Sequence, residues 1–173
     1  MTHQIWLAYG LFMLIILIIG KRRFNRHALR IKQSKRCLGK LKEIHHPGAK
    51  IEYLRKINAY TFEEIILTAI EKNKNAKIKR NKRYSGDGGI DGRFWIKNEL
   101  YIIQAKRYAN EIQLQHVKDF LQKVEQSKCK GIFVHTGRTP ESAWRQIKNN
   151  SSIEIISGSR LIDLIESGYK NEV

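Results

Sequence analysis

From Ile5 to Gly20 the chain reads IWLAYGLFMLIILIIG, an almost unbroken apolar run with no polar face, and it stops at Lys21-Arg22-Arg23. The first twenty residues contain no Lys, Arg, Asp or Glu. Such a run is short for a bilayer core, which takes about 20 apolar residues with a lower limit near 17, but Thr2 to Gln4 can enter the interface and Lys21 can reach outward. It predicts one N-terminal transmembrane helix. A cleaved signal peptide fits less well, because the positive charge follows the apolar run and no small-residue cleavage site comes after it.

Beyond residue 50 the pattern changes to alternating short elements. TFEEIILTAIEKN predicts a helix with Thr61 as cap and Phe62, Ile65, Ile66, Ala69 and Ile70 on one apolar stripe, placing Glu63 and Glu64 near its start. After a basic segment, Lys77 to Tyr84, and a glycine-rich loop come two runs of β-forming residues, Ile90 to Ile96 and Leu100 to Lys106. A helix from about Glu111 to Gln126 buries Val117, Phe120, Leu121 and Val124. GIFVHT reads as a buried strand, Thr139-Pro140-Glu141 as a helix start, SIEIIS as another strand, and Leu161 to Ile165 as a short helix. This order predicts an α/β domain, a mixed sheet flanked by helices. Ala143, Trp144 and Trp95 are expected in the core.

Composition adds direction. The chain of 173 residues carries 33 Lys or Arg against 16 Asp or Glu, a formal net charge of +17. Residues 21–50 hold eleven of these cations and only Glu43 against them, so the positive-inside rule places everything after the span in the cytoplasm. The expected organisation is a membrane anchor at 1–20, a basic juxtamembrane segment at 21–50 and a domain at 51–173, with Pro47-Gly48 marking the transition. The location is the inner (cytoplasmic) membrane, single-pass. Cys37 and Cys129 stand far apart without a metal-ligand pattern, which excludes a disulfide scaffold and agrees with a reducing compartment. His45-His46, just before Pro47, reads as a solvated turn rather than a metal site.

The cations between Lys72 and Arg83 are interrupted by no acid, which implies a polyanionic partner. Nucleic acid is the leading candidate, because each neutralised phosphate releases counterions. Lys79, Arg80, Lys82, Arg83 and Arg107 are the candidate DNA contacts. For residues 21–50, anionic lipid is at least as good a partner. A second copy of the chain is the remaining candidate partner.

Two aspartates sit in YSGDGGIDGRFWIKNELYIIQAKRY, an unusual place for acids in so basic a chain. With Lys97-Asn98 as a two-residue hairpin loop, residues whose numbers sum to 195 face one another, so Asp91 lies opposite Gln104, and Lys106 shares that face. A carboxylate, a carboxamide oxygen and an ammonium then converge. Oxygen ligands suit a hard divalent cation, and phosphodiester hydrolysis uses such an ion together with a lysine that stabilises charge or orients water. Alone, this spacing would arise often from any glycine-rich turn before a hairpin.

TFEE, SGDGGIDG, YIIQAKRY, GIFVHTGRTPESAW and IEIISGSRLIDLIE resemble, in order and spacing, the catalytic domain of Mrr-type restriction endonucleases, a branch of the PD-(D/E)-x-K nucleases. The resemblance spans about residues 55–168. It implies a restriction-endonuclease-like αβββαβ core and DNA cleavage dependent on Mg2+, with Mn2+ as a substitute. Carried over by position, it makes Asp91 the principal metal ligand, puts Gln104 where the wider superfamily has an acid, makes Lys106 the catalytic lysine and Glu63 the additional acid, so that Asp91, Gln104 and Glu63 form the metal set. Asp87 belongs to the family's loop and is expected to shape it. His135 and Thr136 are expected to pack or contact DNA rather than catalyse. The function expected is that of a membrane-anchored endodeoxyribonuclease, acting in restriction or defence against foreign DNA. The competing reading is a tether that keeps the nuclease fold, binds DNA and does not cut it.

Overall fold

The computed structural model describes residues 2–81, 88–148 and 150–170, with side chains throughout except at positions 2–5, 7, 8, 20 and 22–26. The expected contacts Lys82 and Arg83, and the loop residue Asp87, lie outside the described residues.

Helix α1 runs unbroken over Thr2–Glu43, followed by α2 (Pro47–Lys56) and α3 (Ala59–Ile70). Strands β1 (Lys77–Arg80), β2 (Gly92–Ile96) and β3 (Glu99–Lys106) lead to α4 (Leu114–Gln126), β4 (Lys130–His135), α5 (Glu141–Ile147), β5 (Ile153–Ile156) and α6 (Gly158–Ser167). The five strands lie in the order of the sequence. β1, β2 and β3 pair antiparallel, whereas β3–β4 and β4–β5 are parallel. A mixed sheet was the expectation, and it is what forms.

Alternation along the central strands divides the core. Tyr101, Ile103 and Ala105 of β3, with Ile132 and Val134 of β4, face α3 and α6. Ile102 and Phe133 face α4 and α5 on the other side. Both faces are covered, so Tyr101 to Ala105 are buried without interruption, as parallel pairing under helices requires.

The hairpin between β2 and β3 has the anticipated loop. Gly92 pairs with Ile103 and Ile96 with Glu99, so the register sums to 195. Lys97 and Asn98 take φ of 49° and 65°, the left-handed pair that a type I′ turn requires. Gly92 opens β2 beneath α3, where a Cβ would come 2.4 Å from Leu67 Cδ2.

Several local expectations are corrected. The cap of α3 is Asn58, whose side chain accepts from Tyr60 N at 3.0 Å, while the Thr61 hydroxyl turns to Gln33 Oε1 of α1 at 3.3 Å. His46 caps α2 through Nδ1, which accepts from Gly48 N at 3.2 Å. α4 begins at Leu114, three residues later than expected, because Glu111 is drawn into an isolated bridge with Arg138. Pro140 caps α5 without a side-chain hydrogen bond, since Thr139 is committed to His135 Nε2 at 3.0 Å. Trp144 is 43% exposed, and only its neighbour Ala143 is core. Trp95 is half-buried, the core side chains of β2 being Ile96 and Phe94, the latter stacked on Tyr101 with ring centroids 4.7 Å apart.

The C-terminal part of α1 is packed from Ser34 onward. Ser34 and Leu41 are buried, and Cys37 and Leu38 lie against the same core as α3. Among the described residues no helix is long and apolar enough to cross a membrane. The expected span from Ile5 to Gly20 includes positions 5, 7, 8 and 20, whose side chains lie outside that description.

Left-handed backbone costs a lysine about 1–2 kcal/mol, whereas asparagine tolerates it. Replacing Lys97 by Asn should therefore raise stability by about 0.5–1 kcal/mol. Urea unfolding would register this as a higher midpoint at unchanged slope, and a lower midpoint would contradict the turn assignment.

Candidate active site

At the end of the hairpin distant from its turn, four expected residues line one cleft of about 370 Å³: Glu63 from α3, Asp91 just before β2, and Gln104 and Lys106 from β3. Gly89, Tyr108 and His116 complete its polar wall.

Asp91 is held from both ends. Its backbone amide donates to Ile103 O at 2.8 Å, and its Oδ2 accepts from Ala105 N at 2.7 Å. The carboxylate thereby continues the β2–β3 ladder past its last backbone pair, at Gly92. Gln104 is buried and donates through Nε2 to Gly89 O at 2.7 Å. That bond turns its Oε1 away, and Oε1 is buried with no hydrogen-bond partner among the described residues. A buried carbonyl oxygen left in this state costs about 1–3 kcal/mol unless something outside the chain completes it. Gly89 has φ of 79°, and a Cβ there would come 2.7 Å from Gln104 Nε2, so glycine is required for the approach.

Lys106 is partly buried, and burial pushes its ammonium below the usual lysine range. Asp91 opposes that shift, and Lys123 reinforces it.

α4 contributes residues that the sequence reading missed. The Lys123 ammonium lies 3.5 Å from the position a Cβ would take on Gly89. His116 hydrogen-bonds through Nδ1 to the Tyr108 hydroxyl, and burial together with the Lys106 charge lowers its pKa. Burial raises the Tyr108 hydroxyl to about 12. His116, Asp119 and Lys123 follow i, i+3, i+7 spacing on the polar side of an amphipathic helix. That stripe was the available signal, but it reads equally well as a solvated face.

The expected DNA contacts separate. Lys79 is exposed on edge strand β1. Arg80 is instead engaged within the protein: Nε donates to Glu64 Oε2 at 3.0 Å, Nη1 and Nη2 reach Glu71 at 3.1 and 2.8 Å, and Nη2 reaches Thr68 Oγ1 at 3.3 Å. The same bonds hold the Glu71 carboxyl below its usual range. Arg107 lines the cleft, yet its Nη1 donates to Arg55 O at 2.9 Å and also to Ile57 O. His135 and Thr136 are structural. Thr136 Oγ1 donates to Tyr108 O at 3.0 Å and accepts from Tyr108 N at 2.9 Å. His135 is fully buried, hydrogen-bonded to Thr139 and edge-on to Tyr108.

The described residues contain no group of three or more His, Cys, Asp or Glu able to hold a metal ion. The cleft offers two carboxylates and the amide oxygen of Gln104, an all-oxygen set of the kind hard divalent cations take.

A sheet of this topology, with a carboxylate, a carboxamide and a lysine gathered where β2 and β3 part, defines the restriction-endonuclease-like class. The profile of the Mrr_cat family, described as restriction endonuclease, matches residues 54–165, and the chain belongs to that family. Among solved structures it is similar to the MspJI restriction endonuclease in complex with a 27-mer oligonucleotide, with 21% identity, a TM-score of 0.53, and coverage of 69% of this chain and 32% of that one. The chain therefore spans about a third of the length of MspJI. SfsA of Pyrococcus furiosus in complex with Ca2+ also matches, at 11% identity and a TM-score of 0.36, over 56% of this chain and 54% of that one. No curated protein matches.

Burial depresses the His135 imidazole to about 4, from an ordinary value of 6.5. Between those two pH values the unfolded chain binds a proton that the folded one does not, so stability falls as pH drops through this window, by about 3 kcal/mol for this group. Chemical unfolding at pH 6.5 and pH 4 should show His135→Gln losing less stability than wild type by about that amount. Equal losses would mean that His135 is not buried in its neutral form.

Proposed function

We propose that this protein is a membrane-anchored endodeoxyribonuclease that depends on a divalent cation, Mg2+ or in its place Mn2+, and that acts in restriction or defence against foreign DNA. The observation that carries the reading is the cleft itself: Asp91, Glu63, Gln104 and Lys106 come from three separate elements to one place, and the buried Gln104 Oε1 there has no partner among the described residues. Asp91, Gln104 and Glu63 would hold the ion. When bound, such an ion polarises a phosphoryl oxygen and lowers the pKa of an attacking water.

The chain's own groups supply the rest. Lys106 can hold a non-bridging phosphate oxygen while protonated, and its lowered pKa lets Nζ exchange a proton more readily than an exposed lysine would. The Ala105 amide fixes Asp91, and Gly89 O fixes the amide plane of Gln104, so neither ligand has to be ordered when substrate arrives. Lys123 adds a second positive charge near Gly89. The family match and the fold shared with MspJI support a phosphodiester of DNA as the substrate.

The anchor rests on a separate observation. Every large apolar side chain described between Trp6 and Ile19 is at least 44% exposed, on all sides of α1. So extended an apolar surface calls for a non-aqueous environment. Its end at Lys21, followed by an excess of cations, supports the inner membrane with the catalytic domain in the cytoplasm.

Full-length protein in detergent should cut plasmid DNA with Mg2+ or Mn2+ and stop in chelator. Asp91→Ala and Lys106→Ala should each lower the rate by about 10^3-fold, equivalent to ~4 kcal/mol at the transition state. Gln104→Glu should bind metal more tightly, by calorimetry, and still cut. If unmodified, modified and branched DNA are all bound but none is cut with either metal, the protein is a DNA tether and not a hydrolase.

The protein should also resist carbonate extraction from membranes, and its C-terminus should be protected from protease added to spheroplasts. Recovery in the soluble fraction would remove the anchor.

A further inference from the structure

Two of the cations expected to contact DNA are engaged within the chain: Arg80 by Glu64 and Glu71, Arg107 by backbone carbonyls of α2 and the turn after it. A second open groove, of about 340 Å³, lies between α1 and the α2–α3 turn. Arg30, Arg36 and Lys40 line it together with Tyr53, Asn58 and Thr61, and no carboxylate does. Gln33 holds the arrangement, because its Oε1 accepts from Arg30 Nη1 at 2.9 Å and from Thr61 Oγ1 at 3.3 Å. Among the described residues neither Arg36 nor Lys40 is in an ion pair. The groove reaches Ile57 and Asn58, and the catalytic cleft begins at Ala59, so one turn separates the two.

We infer that this face of α1 is a binding wall for the phosphodiester backbone of DNA, extending the catalytic cleft along the helix that leads to the membrane. The inference rests on the nuclease reading for the identity of the polyanion. From Arg30 to Lys40 the helix advances about 15 Å, the rise of roughly four nucleotides at 3.4 Å per charge on a strand, so three cations can follow one backbone. Uncompensated charge beside an open groove, one turn from the cleft, is the chemistry such a backbone requires.

Lipid headgroups do not account for Arg36 and Lys40. The headgroup layer is about 5–8 Å thick on each side of the hydrocarbon core. Counting about 1.5 Å per residue from Gly20, Arg36 stands roughly 24 Å and Lys40 roughly 30 Å along the helix, and a tilt near 20° removes only about 6% of that. Cations closer to residue 20 are the ones within reach of lipid.

The test uses full-length Asp91→Ala protein in chelator, so that DNA binding is measured without cleavage. Fluorescence anisotropy with a short labelled duplex at several salt concentrations should give a log affinity against log salt slope that becomes shallower by about 2–3 when Arg30, Arg36 and Lys40 are all changed to Gln, at about 0.9 per contact. A companion variant, Arg30→Lys with Arg36→Lys and Lys40→Arg, keeps the charge and should keep the slope, which separates loss of contact from loss of fold. An unchanged slope in the Gln variant, or a charge-retaining variant that loses as much as the Gln one, overturns the inference, as does absence of DNA binding altogether. Failure of the hydrolase reading would look different: DNA bound with the salt dependence described, but uncut by wild type in either metal.

Discussion

The backbone amide of Ala105 has no partner in β2. β2 ends its pairing at Gly92, opposite Ile103, so the amide beyond that point would be buried and unpaired if the Asp91 carboxylate did not accept it. An unsatisfied buried amide costs about 1–3 kcal/mol, and the acid at the centre of the site therefore also closes the sheet. It also orders the neighbourhood: the strand that carries Gln104 and Lys106 is the strand that Asp91 completes.

Charge in this protein does two different kinds of work. Arg80 lies between Glu64, which is buried, and Glu71, tying edge strand β1 to α3 and giving a buried carboxylate its partner. Lys50 pairs with Glu166, which joins α2 to α6. By contrast, among the described residues Arg36 and Lys40 of α1 are in no ion pair, and they border an open groove. A net charge of +17 thus overstates the surface available to a polyanion, and where the acids lie decides which cations remain.

The hairpin was legible because a two-residue loop leaves one register, and the chain meets its demand for left-handed backbone at Lys97 and Asn98. The convergence of Asp91, Gln104 and Lys106 followed from that register and the two-residue repeat of a strand. Glu63 came to the same place through the resemblance to a family, since nothing in a helical stripe says which strand end it will approach. Contacts distant in sequence were not legible. The basic run beginning at Lys72 looks uniform, yet Arg80 is captured by α3 across 16 residues, and no local pattern announces it. The polar side of α4 likewise reads as solvent-facing until the sheet brings Gly89 beneath Lys123. Trp144 shows the same limit from the other side, for a large aromatic after a helix start is usually core, and here α5 is too short to bury more than one face.

Helix α1 is unbroken from Thr2 to Glu43, and its later turns are fastened to α3 through Ser34, Leu41 and Gln33. An unbroken helix of that length without a proline is a rod and not a leash. With its apolar end in a bilayer, as proposed, the catalytic cleft would be carried at a set height and a set facing above the membrane, with no swivel between the two. Encounter would then resemble a fixed jaw meeting a strand that passes by rather than a tethered body sweeping a volume. DNA emerging through or lying along the membrane would be met in one orientation, and DNA in the cell interior hardly at all.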